Sequence, residues 1–376
     1  MIRRFTLDGD KALEERLALL CENVRQRSCQ LVPEDQIEAL LLGGGYGRGE
    51  GGVLKTATVD EPYNDLEFYL CLRGNLFANQ RKFFHAFHHL GESLSRDAHI
   101  EVEFKLASLD KLRREAHTMF FYDLANGHRV ILGDRDVLAG LEPDGKDIPL
   151  FEATRLLMNR CSGLLFANEK LQHDPFTADD ADFIGRNQAK AQLAFGDVVL
   201  AAERQYHWSC RTRHEHLQKL SSNAPHLGKI RCHHALGMEF KLHPQKKSGA
   251  TDAFLPLQME LMQLGRELWL WLESRRLNKH FPSISDYAFS SVRKCPETNA
   301  ARNFLINGFK FQSAAFSAGK TFRYPRERLL EALPLLLWET PMSPEHLSRI
   351  QKNLQTDAST FPELVRAYSQ LWQQFN

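Results

Sequence analysis

The sequence has almost no net charge. It carries 48 Lys and Arg against 47 Asp and Glu, a formal net charge of +1 over 376 residues. Proteins that hold a long stretch of nucleic acid have a clear surplus of cations, because they must displace the counterions of the phosphates. We therefore expect no long nucleic acid as a partner, whereas a nucleotide remains compatible as a small ligand.

The sequence also lacks a C-x-x-C pair. Its seven cysteines are too far apart for the paired spacing of zinc ribbons and dithiol redox sites. An odd number of cysteines without such a pattern indicates reduced thiols, and hence a cytoplasmic location. Three segments rich in His and Cys do not have the spacing of a structural zinc site either. They are His85, His88 and His89; Cys210, His214 and His216; and Cys232, His233 and His234.

Long apolar runs are missing as well. No stretch approaches the ~20 apolar residues that a membrane helix needs. The N-terminal segment has Arg3 and Arg4 followed by acidic residues, which is not the pattern of a secretory signal. The sequence therefore predicts no membrane partner.

The first part of the chain mixes helical and strand patterns. Helical spacing predicts helices over residues 10–30, 33–40, 77–95 and 109–118, and alternation predicts strands over 65–72, 100–106 and 129–132. The apolar stripe of the third helix would consist of Phe83, Phe84, Phe87 and Leu90. We expect an α+β domain over residues 1–148.

The remainder of the chain has mostly helical patterns. They predict helices over residues 151–172, 179–206, 255–276, 325–338, 344–354 and 362–375, with a loop-rich stretch over 277–323. Residues 149–376 are therefore predicted to form an all-α domain.

A glycine-rich segment follows an apolar stretch near residue 42. Gly47, Gly49 and Gly52 satisfy the dinucleotide-binding spacing, but that motif requires a helix after the last glycine, and residues 53–64 have no helical period. A Walker loop would need Gly-Lys-Ser/Thr, and a kinase loop would need further motifs that are absent. The segment is therefore interpreted as a turn of a different kind.

Acidic residues alternate with apolar ones in the two strands that follow. Asp65 and Glu67 share a face in DLEFYLCL, and Glu101 and Glu103 share a face in IEVEFKL. Carboxylates placed side by side can bind two Mg²⁺ ions, which stabilise the attacking and the leaving oxygen when a hydroxyl displaces pyrophosphate from a nucleotide. The third carboxylate is Glu103 or Glu101, and we choose Glu103.

This order of elements resembles the DNA polymerase beta-like nucleotidyltransferase superfamily. The glycine-rich turn is Gly44-Gly45-Tyr46-Gly47-Arg48, the strand with Asp65 and Glu67 follows, and Glu103 lies on a later strand. The chain looks like the minimal and aminoglycoside-type members, which pair a mixed β-sheet domain with a helical domain. The resemblance implies a Mg²⁺-dependent (or Mn²⁺-dependent) transfer of a nucleoside monophosphate, AMP from ATP before other NTPs, to a hydroxyl of a small molecule or a protein.

The resemblance also implies roles for individual residues. Asp65, Glu67 and Glu103 would be the catalytic and metal-binding residues, and Gly44 and Gly45 would admit the phosphates. Arg48 would contact a phosphate or would instead pair with Glu50 or Glu61 at the surface. In the helical domain, Lys190 would be a phosphate ligand on the same helix face as Asp197, with Arg160 and Arg186 as weaker candidates.

Two features depart from the family pattern. Gly45 stands where the family has Ser, and residues 49–60 look like an insertion before Asp65. They leave an alternative open, in which the protein binds nucleotides for regulation without efficient transfer, or is a toxin-antitoxin component on the same fold.

Overall fold

The computed structural model describes residues 4–115, 117–141, 143–312 and 320–376. The protein is of the α+β class: among these residues, strands lie only in the first part of the chain, and helices occur throughout. The chain divides into two compact units. The first consists of Met1–Pro149, Glu203–Lys219 and Met238–Gln245, and the second consists of Leu150–Ala202, Leu220–Gly237 and Lys246–Asn376.

The strands of the first unit form a mixed sheet and a separate hairpin. They are β1 (Ile37–Leu42), β2 (Gly52–Lys55), β3 (Asp60–Tyr63), β4 (Asp65–Leu72), β5 (Glu101–Ala107) and β6 (Arg129–Gly133). The sheet has the order β5-β4-β1-β6, and β2 pairs with β3. β4 and β5 are parallel, whereas β1 runs antiparallel to both β4 and β6.

Helices cover both faces of this sheet. The helices of the first unit begin with α1 (Lys11–Leu31), α2 (Gly44–Arg48), α3 (Leu76–Ala98), α4 (Leu109–Arg114) and α5 (Met119–Asn126). α1 and α3 pack with Leu40, Phe68 and Leu70 on one face. α4 and α5 pack with Leu41 and Tyr69 on the other face. The alternation of side chains along each strand supplies both cores.

The crossover from β4 to β5 is made by α3. Two parallel neighbours need such a connection, because a tight turn cannot bring the chain back to the same end of the sheet. Asn75 caps the start of α3, and its buried side chains include Phe83, Phe87 and Leu90. Phe84, predicted as part of the stripe, is 52% exposed, because it is one residue and about 100° of helix rotation away from Phe83.

One of two local predictions for the first unit was wrong. Residues 33–40 were predicted as a helix, but only Glu34–Gln36 form a 3₁₀ turn before β1 begins at Ile37. The pairing of β1 with strands on both sides outweighs the helical spacing of its apolar residues. Residues 53–64 were expected to have no helical period, and this is confirmed, since they contribute to the β2–β3 hairpin.

The second part of the chain is helical, as its periodicity predicts. Its helices are α6 (Leu150–Lys170), α7 (Ala178–Ala202), α8 (Cys210–Lys219), α9 (Leu227–Leu242), α10 (Leu255–Arg276), α11 (Ile284–Phe289), α12 (Ala300–Phe311), α13 (Arg326–Trp338), α14 (Pro344–Leu354) and α15 (Phe361–Phe375). The bounds of α10 and α14 agree with the predicted ones. α11 and α12 lie in the stretch predicted as loop-rich, and α5, α8 and α9 were not predicted.

The core of the second unit is built on α10 and α13. Leu261, Leu268 and Trp269 of α10 are fully buried. In α13, Glu327 to Leu337 are all buried, so this helix is surrounded by protein on every side. Among the described residues, no helix combines the length and the apolar character needed to cross a membrane.

Candidate functional site

The acidic face of the sheet is built by β4 and β5. Asp65 and Glu67 point away from the buried Leu66 and Phe68, as alternation requires. The parallel register places Asp65 beside Glu101 and Glu67 beside Glu103. All four acids therefore occupy the start of the two strands, on the sheet face whose further end is covered by α4 and α5.

Three of these acids are close enough to share a ligand. Asp65, Glu67 and Glu103 each have a carboxylate oxygen within 4.8 Å of the others. Within the described part of the chain, no other group of three or more His, Cys, Asp or Glu side chains meets this condition. Glu101 is exposed next to Asp65 and does not belong to the group.

The charges of the cluster act on one another. Burial raises the pKa of the Asp65 carboxyl, and the neighbouring Glu67 and Glu101 raise it further. The side-chain amide of Asn64 donates a hydrogen bond to the Asp65 carboxylate. Like charges held this close oppose each other's ionisation, so the group favours the arrival of a cation.

A lysine already lies inside this group. Lys105 Nζ lies 2.6 Å from Glu67 Oε1 and 3.2 Å from Glu103 Oε2. Burial alone would lower the pKa of Lys105, but Glu67, Tyr69 and Glu103 outweigh burial, and the pKa is above its usual value. Lys105 was missed in the sequence, although it follows Glu103 by two residues and alternation puts both on one face.

The glycine-rich segment forms a short helix rather than the predicted turn. α2 begins at Gly44, whose positive φ of 61° favours glycine. A Cβ on Gly44 would lie 3.1 Å from Glu67 Oε2, and one on Gly45 would lie 3.0 Å from the Glu50 carbonyl oxygen. A side chain at Gly44 would therefore point at the acidic cluster.

Tyr46 connects this segment to the hairpin. Its hydroxyl donates to the Gly52 carbonyl at 2.8 Å and accepts from the Tyr63 N–H at 2.8 Å. The side chain is 2% exposed, and burial raises the pKa of its hydroxyl. Tyr46 thus joins both ends of the hairpin to α2, just before Asp65 begins β4.

Arg48 is not at the surface, but one of the alternatives given for it, a pair with Glu50, is confirmed. Its side chain is 10% exposed, 3.3 Å from Asp123 and 3.9 Å from Glu50. These two carboxylates already balance its charge. A contact between Arg48 and a phosphate stays a prediction.

Glu50, which the sequence suggested only as a surface partner of Arg48, is a buried acid. It accepts hydrogen bonds from Ser209 Oγ at 2.5 Å and from the Cys210 N–H at 3.0 Å. Burial would raise its pKa, but Lys241, these two hydrogen bonds and Arg48 hold the pKa below its usual value. These hydrogen bonds of Glu50 therefore connect the end of the glycine-rich segment to the start of α8.

The remaining candidates lie in the second unit. Lys190 is exposed on α7, whereas Asp197 of the same helix is buried and its Oδ1 lies 3.1 Å from His234 Nε2. Seven residues are about two turns, so both lie on the same side of α7, and Asp197 belongs to the last part of the helix, which is buried throughout. Arg186 pairs with Asp182 at 3.0 Å, and Arg160 is half-buried on α6.

The histidine-rich and cysteine-rich segments have other partners. His88 and His89 lie 3.5 Å and 3.1 Å from Glu92. All seven cysteines are free thiols, and Cys232 is the exposed one. None of the three segments is among the groups of described residues that could hold a metal ion.

Comparison with known proteins adds no assignment to this geometry. No protein-family model matches the chain, and no curated protein is significantly similar to it.

Proposed function

We propose that the protein is a metal-dependent nucleotidyltransferase. It transfers a nucleoside monophosphate, in the first place AMP from ATP, to a hydroxyl of a small molecule or a protein and releases pyrophosphate. The observation that carries the proposal is the group of Asp65, Glu67 and Glu103, whose oxygens lie within 4.8 Å of one another.

The chemistry of this group suits Mg²⁺ or Mn²⁺. The three side chains offer only carboxylate oxygens, which are the preferred protein ligands of these hard cations. Asp65, Glu67 and Glu103 would hold the metal. When bound, it would stabilise negative charge on the attacking and the leaving oxygen.

The surrounding residues suit the nucleotide. Gly44 leaves no side chain between its backbone and Glu67 Oε2, so phosphate oxygens can approach the carboxylates there. Gly45 is assigned to the same role. Lys190 is kept as a proposed phosphate ligand, and acceptor binding is assigned to the helical part of the chain.

The proposed reaction exchanges one bond for another. The acceptor hydroxyl oxygen attacks the α-phosphorus, the bond from that phosphorus to the bridging oxygen breaks, and pyrophosphate leaves with the electron pair. The hydroxyl proton passes to a base. Glu103, with 48% of its side chain exposed, can be reached by an acceptor and is assigned as that base or as a metal ligand.

The order of the elements supports the same assignment. A strand, a glycine-rich segment, a strand with Asp-x-Glu, a helix and a parallel strand with a further acid follow one another in the first unit. This is the order that the resemblance to the DNA polymerase beta-like superfamily implies. A cytoplasmic location is proposed with it, since seven free thiols and ATP are both compatible with a reducing compartment.

The proposal predicts that activity depends on the carboxylates. Wild type and an Asp65→Asn, Glu67→Gln double variant are incubated with each α-labelled NTP, Mg²⁺ or Mn²⁺ and a pool of small-molecule acceptors. We expect pyrophosphate release and labelled product with wild type, and a loss of at least about 100-fold in the double variant. Glu15→Gln, an exposed acid on α1, is the control.

The opposite outcome is equally clear. If metal-dependent nucleotide binding and pyrophosphate release are the same in the double variant and in wild type, the proposed site is wrong. Label found on tRNA would instead favour the toxin-antitoxin function on the same fold.

A second candidate is a nucleotide-binding regulatory protein with weak or no transfer. Two observations favour it: Gly45 replaces the serine of the family pattern, and Lys105 already pairs with Glu67 and Glu103. This candidate predicts carboxylate-dependent nucleotide binding without pyrophosphate release, and equilibrium binding measured beside turnover separates the two.

A further inference from the structure

Lys105 occupies the position in the acidic group where a cation would be expected. Its ammonium lies between Glu67, at 2.6 Å, and Glu103, at 3.2 Å. Both distances are those of direct ion pairs, and the first is that of a short charge-assisted hydrogen bond. Lysine is protonated at neutral pH, so this ammonium and a metal ion are alternatives for the same oxygens.

The sheet holds this lysine in place. Lys105 follows Glu103 on the same face of β5, and the register sets it beside Tyr69 of β4. The ammonium lies 5.6 Å from the centre of the Tyr69 ring, within the range of a cation–π contact. Tyr69 itself is 3% exposed, so its buried ring is a fixed surface beside the aliphatic part of the Lys105 side chain.

The three acids are not affected equally. Lys105 pairs with Glu67 and Glu103, whereas Asp65 interacts with Asn64 and is flanked by Glu101. A metal ion that uses Glu67 together with Glu103 must therefore displace the ammonium. Coordination through Asp65 alone would leave it in place.

We propose that Lys105 is a built-in competitor that keeps the metal affinity of the free protein low. This inference rests on the proposed function and concerns regulation of the same site. The metal ion binds well only when the Lys105 ammonium leaves Glu67 and Glu103. A nucleoside triphosphate carries further negative charge, and its phosphates can form an ion pair with the ammonium that leaves the carboxylates. Metal binding and nucleotide binding therefore favour each other.

The main test measures Mn²⁺ binding to the full-length protein without nucleotide, by the electron paramagnetic resonance signal of free Mn²⁺. Lys105→Met removes the charge at similar length, and Lys105→Arg retains it. We expect Mn²⁺ to bind about tenfold or more tightly to Lys105→Met than to wild type. Lys105→Arg should stay within about threefold of wild type. A tenfold change corresponds to about 1.4 kcal/mol.

The Asp65→Asn, Glu67→Gln variant distinguishes a failure of the proposed metal site from a failure of the proposed role of Lys105. If it loses Mn²⁺ binding while Lys105→Met binds no more tightly than wild type, the metal site stands and the competitor role of Lys105 is wrong. If it binds Mn²⁺ as wild type does, the proposed function and this inference fail together.

A second measurement needs no variant, in case Lys105→Met does not fold. Acetic anhydride acetylates free amines, and mass spectrometry follows each lysine separately. Saturating Mg²⁺ should increase the acetylation rate of Lys105 severalfold in wild type and leave Lys11, 89% exposed, unchanged. An unchanged rate at Lys105 would overturn the inference.

Discussion

Glu101 and Glu103 have the same side chain and lie on the same face of β5, yet their neighbours differ. The register sets Glu103 beside Glu67 and Glu101 beside Asp65, at the start of both strands. Both side chains are exposed, but Glu103 shares the cluster with Lys105, whereas Glu101 does not belong to it. Alternation alone cannot distinguish two acids that are two residues apart.

Substitution of Glu103 should therefore lower activity more than substitution of Glu101. We expect Glu103→Gln to lower the rate of pyrophosphate release by about 100-fold, because it removes a metal ligand or the base. Glu101→Gln should change the rate by less than about tenfold. Initial rates at saturating NTP and metal measure the effect of each substitution. A larger loss in Glu101→Gln than in Glu103→Gln would show that Glu101 is the third carboxylate of the site.

At the scale of elements, α2 is the part of the site that the sequence described least well. Five residues with three glycines have a low helix propensity. The helix forms because its backbone packs closely on neighbours: a Cβ on Gly47 would lie 2.2 Å from the Leu42 carbonyl oxygen and 3.3 Å from that of Gly127. The contact with Gly127 depends on a residue far away in the chain.

Gly47→Ala should accordingly destabilise the first unit. The added methyl meets backbone rather than a movable side chain, and overpacking of this kind costs about 1–3 kcal/mol or more of unfolding free energy. Urea denaturation followed by circular dichroism measures the loss. Gly228→Ala is the matched control, because nothing lies within 4 Å of its Cβ, and we expect it to be neutral or slightly stabilising. Equal effects of the two substitutions would contradict the close packing of α2.

At the scale of the whole molecule, near-neutral charge conceals strongly charged local groups. The acidic cluster in the first unit is one. In the second unit, Lys294, Lys320 and Arg349 converge on Glu331 of α13, which is 0% exposed. Burial lowers the pKa of Lys320 to about 8, although Glu331 opposes the shift.

Lys320 should make stability depend on pH. Between pH 8 and about 10.5 the unfolded chain keeps the Lys320 proton while the folded chain loses it, so Lys320 becomes less destabilising as the pH rises. Relative to Lys320→Met, which cannot titrate, wild type should gain up to about 3 kcal/mol of unfolding free energy across this window. Denaturation of both proteins at pH 7, 8, 9 and 10 measures the difference. A difference that stays constant or changes sign would contradict the buried charge.

Much of the architecture could be predicted from local patterns. α1, α3, α6, α7 and α10 were predicted because a long amphipathic helix repeats its signal over several turns. Strands β4 and β5 were predicted because polar and apolar residues alternate in them. The first residues of β1, Ile37 to Leu40, were predicted as part of a helix, since a short apolar run buried on both faces has no period of its own.

The site could be predicted to a similar extent. Asp65 and Glu67 were identified from alternation and spacing, which are local properties of one strand. Lys105 was missed, and Tyr46 and Glu50 were named without their roles, because these roles come from partners on other elements. Lys105 pairs across two strands, Tyr46 joins α2 to the hairpin, and Glu50 accepts a hydrogen bond from Ser209.

The sequence alone thus establishes the α+β class, the positions of most long helices and the common face of Asp65 and Glu67, because each depends on residues a few positions apart. Only the tertiary structure shows which acids meet and that Lys105 lies between Glu67 and Glu103. Strand order and register are set by packing and hydrogen bonding between distant segments, and these interactions leave no local pattern in the chain.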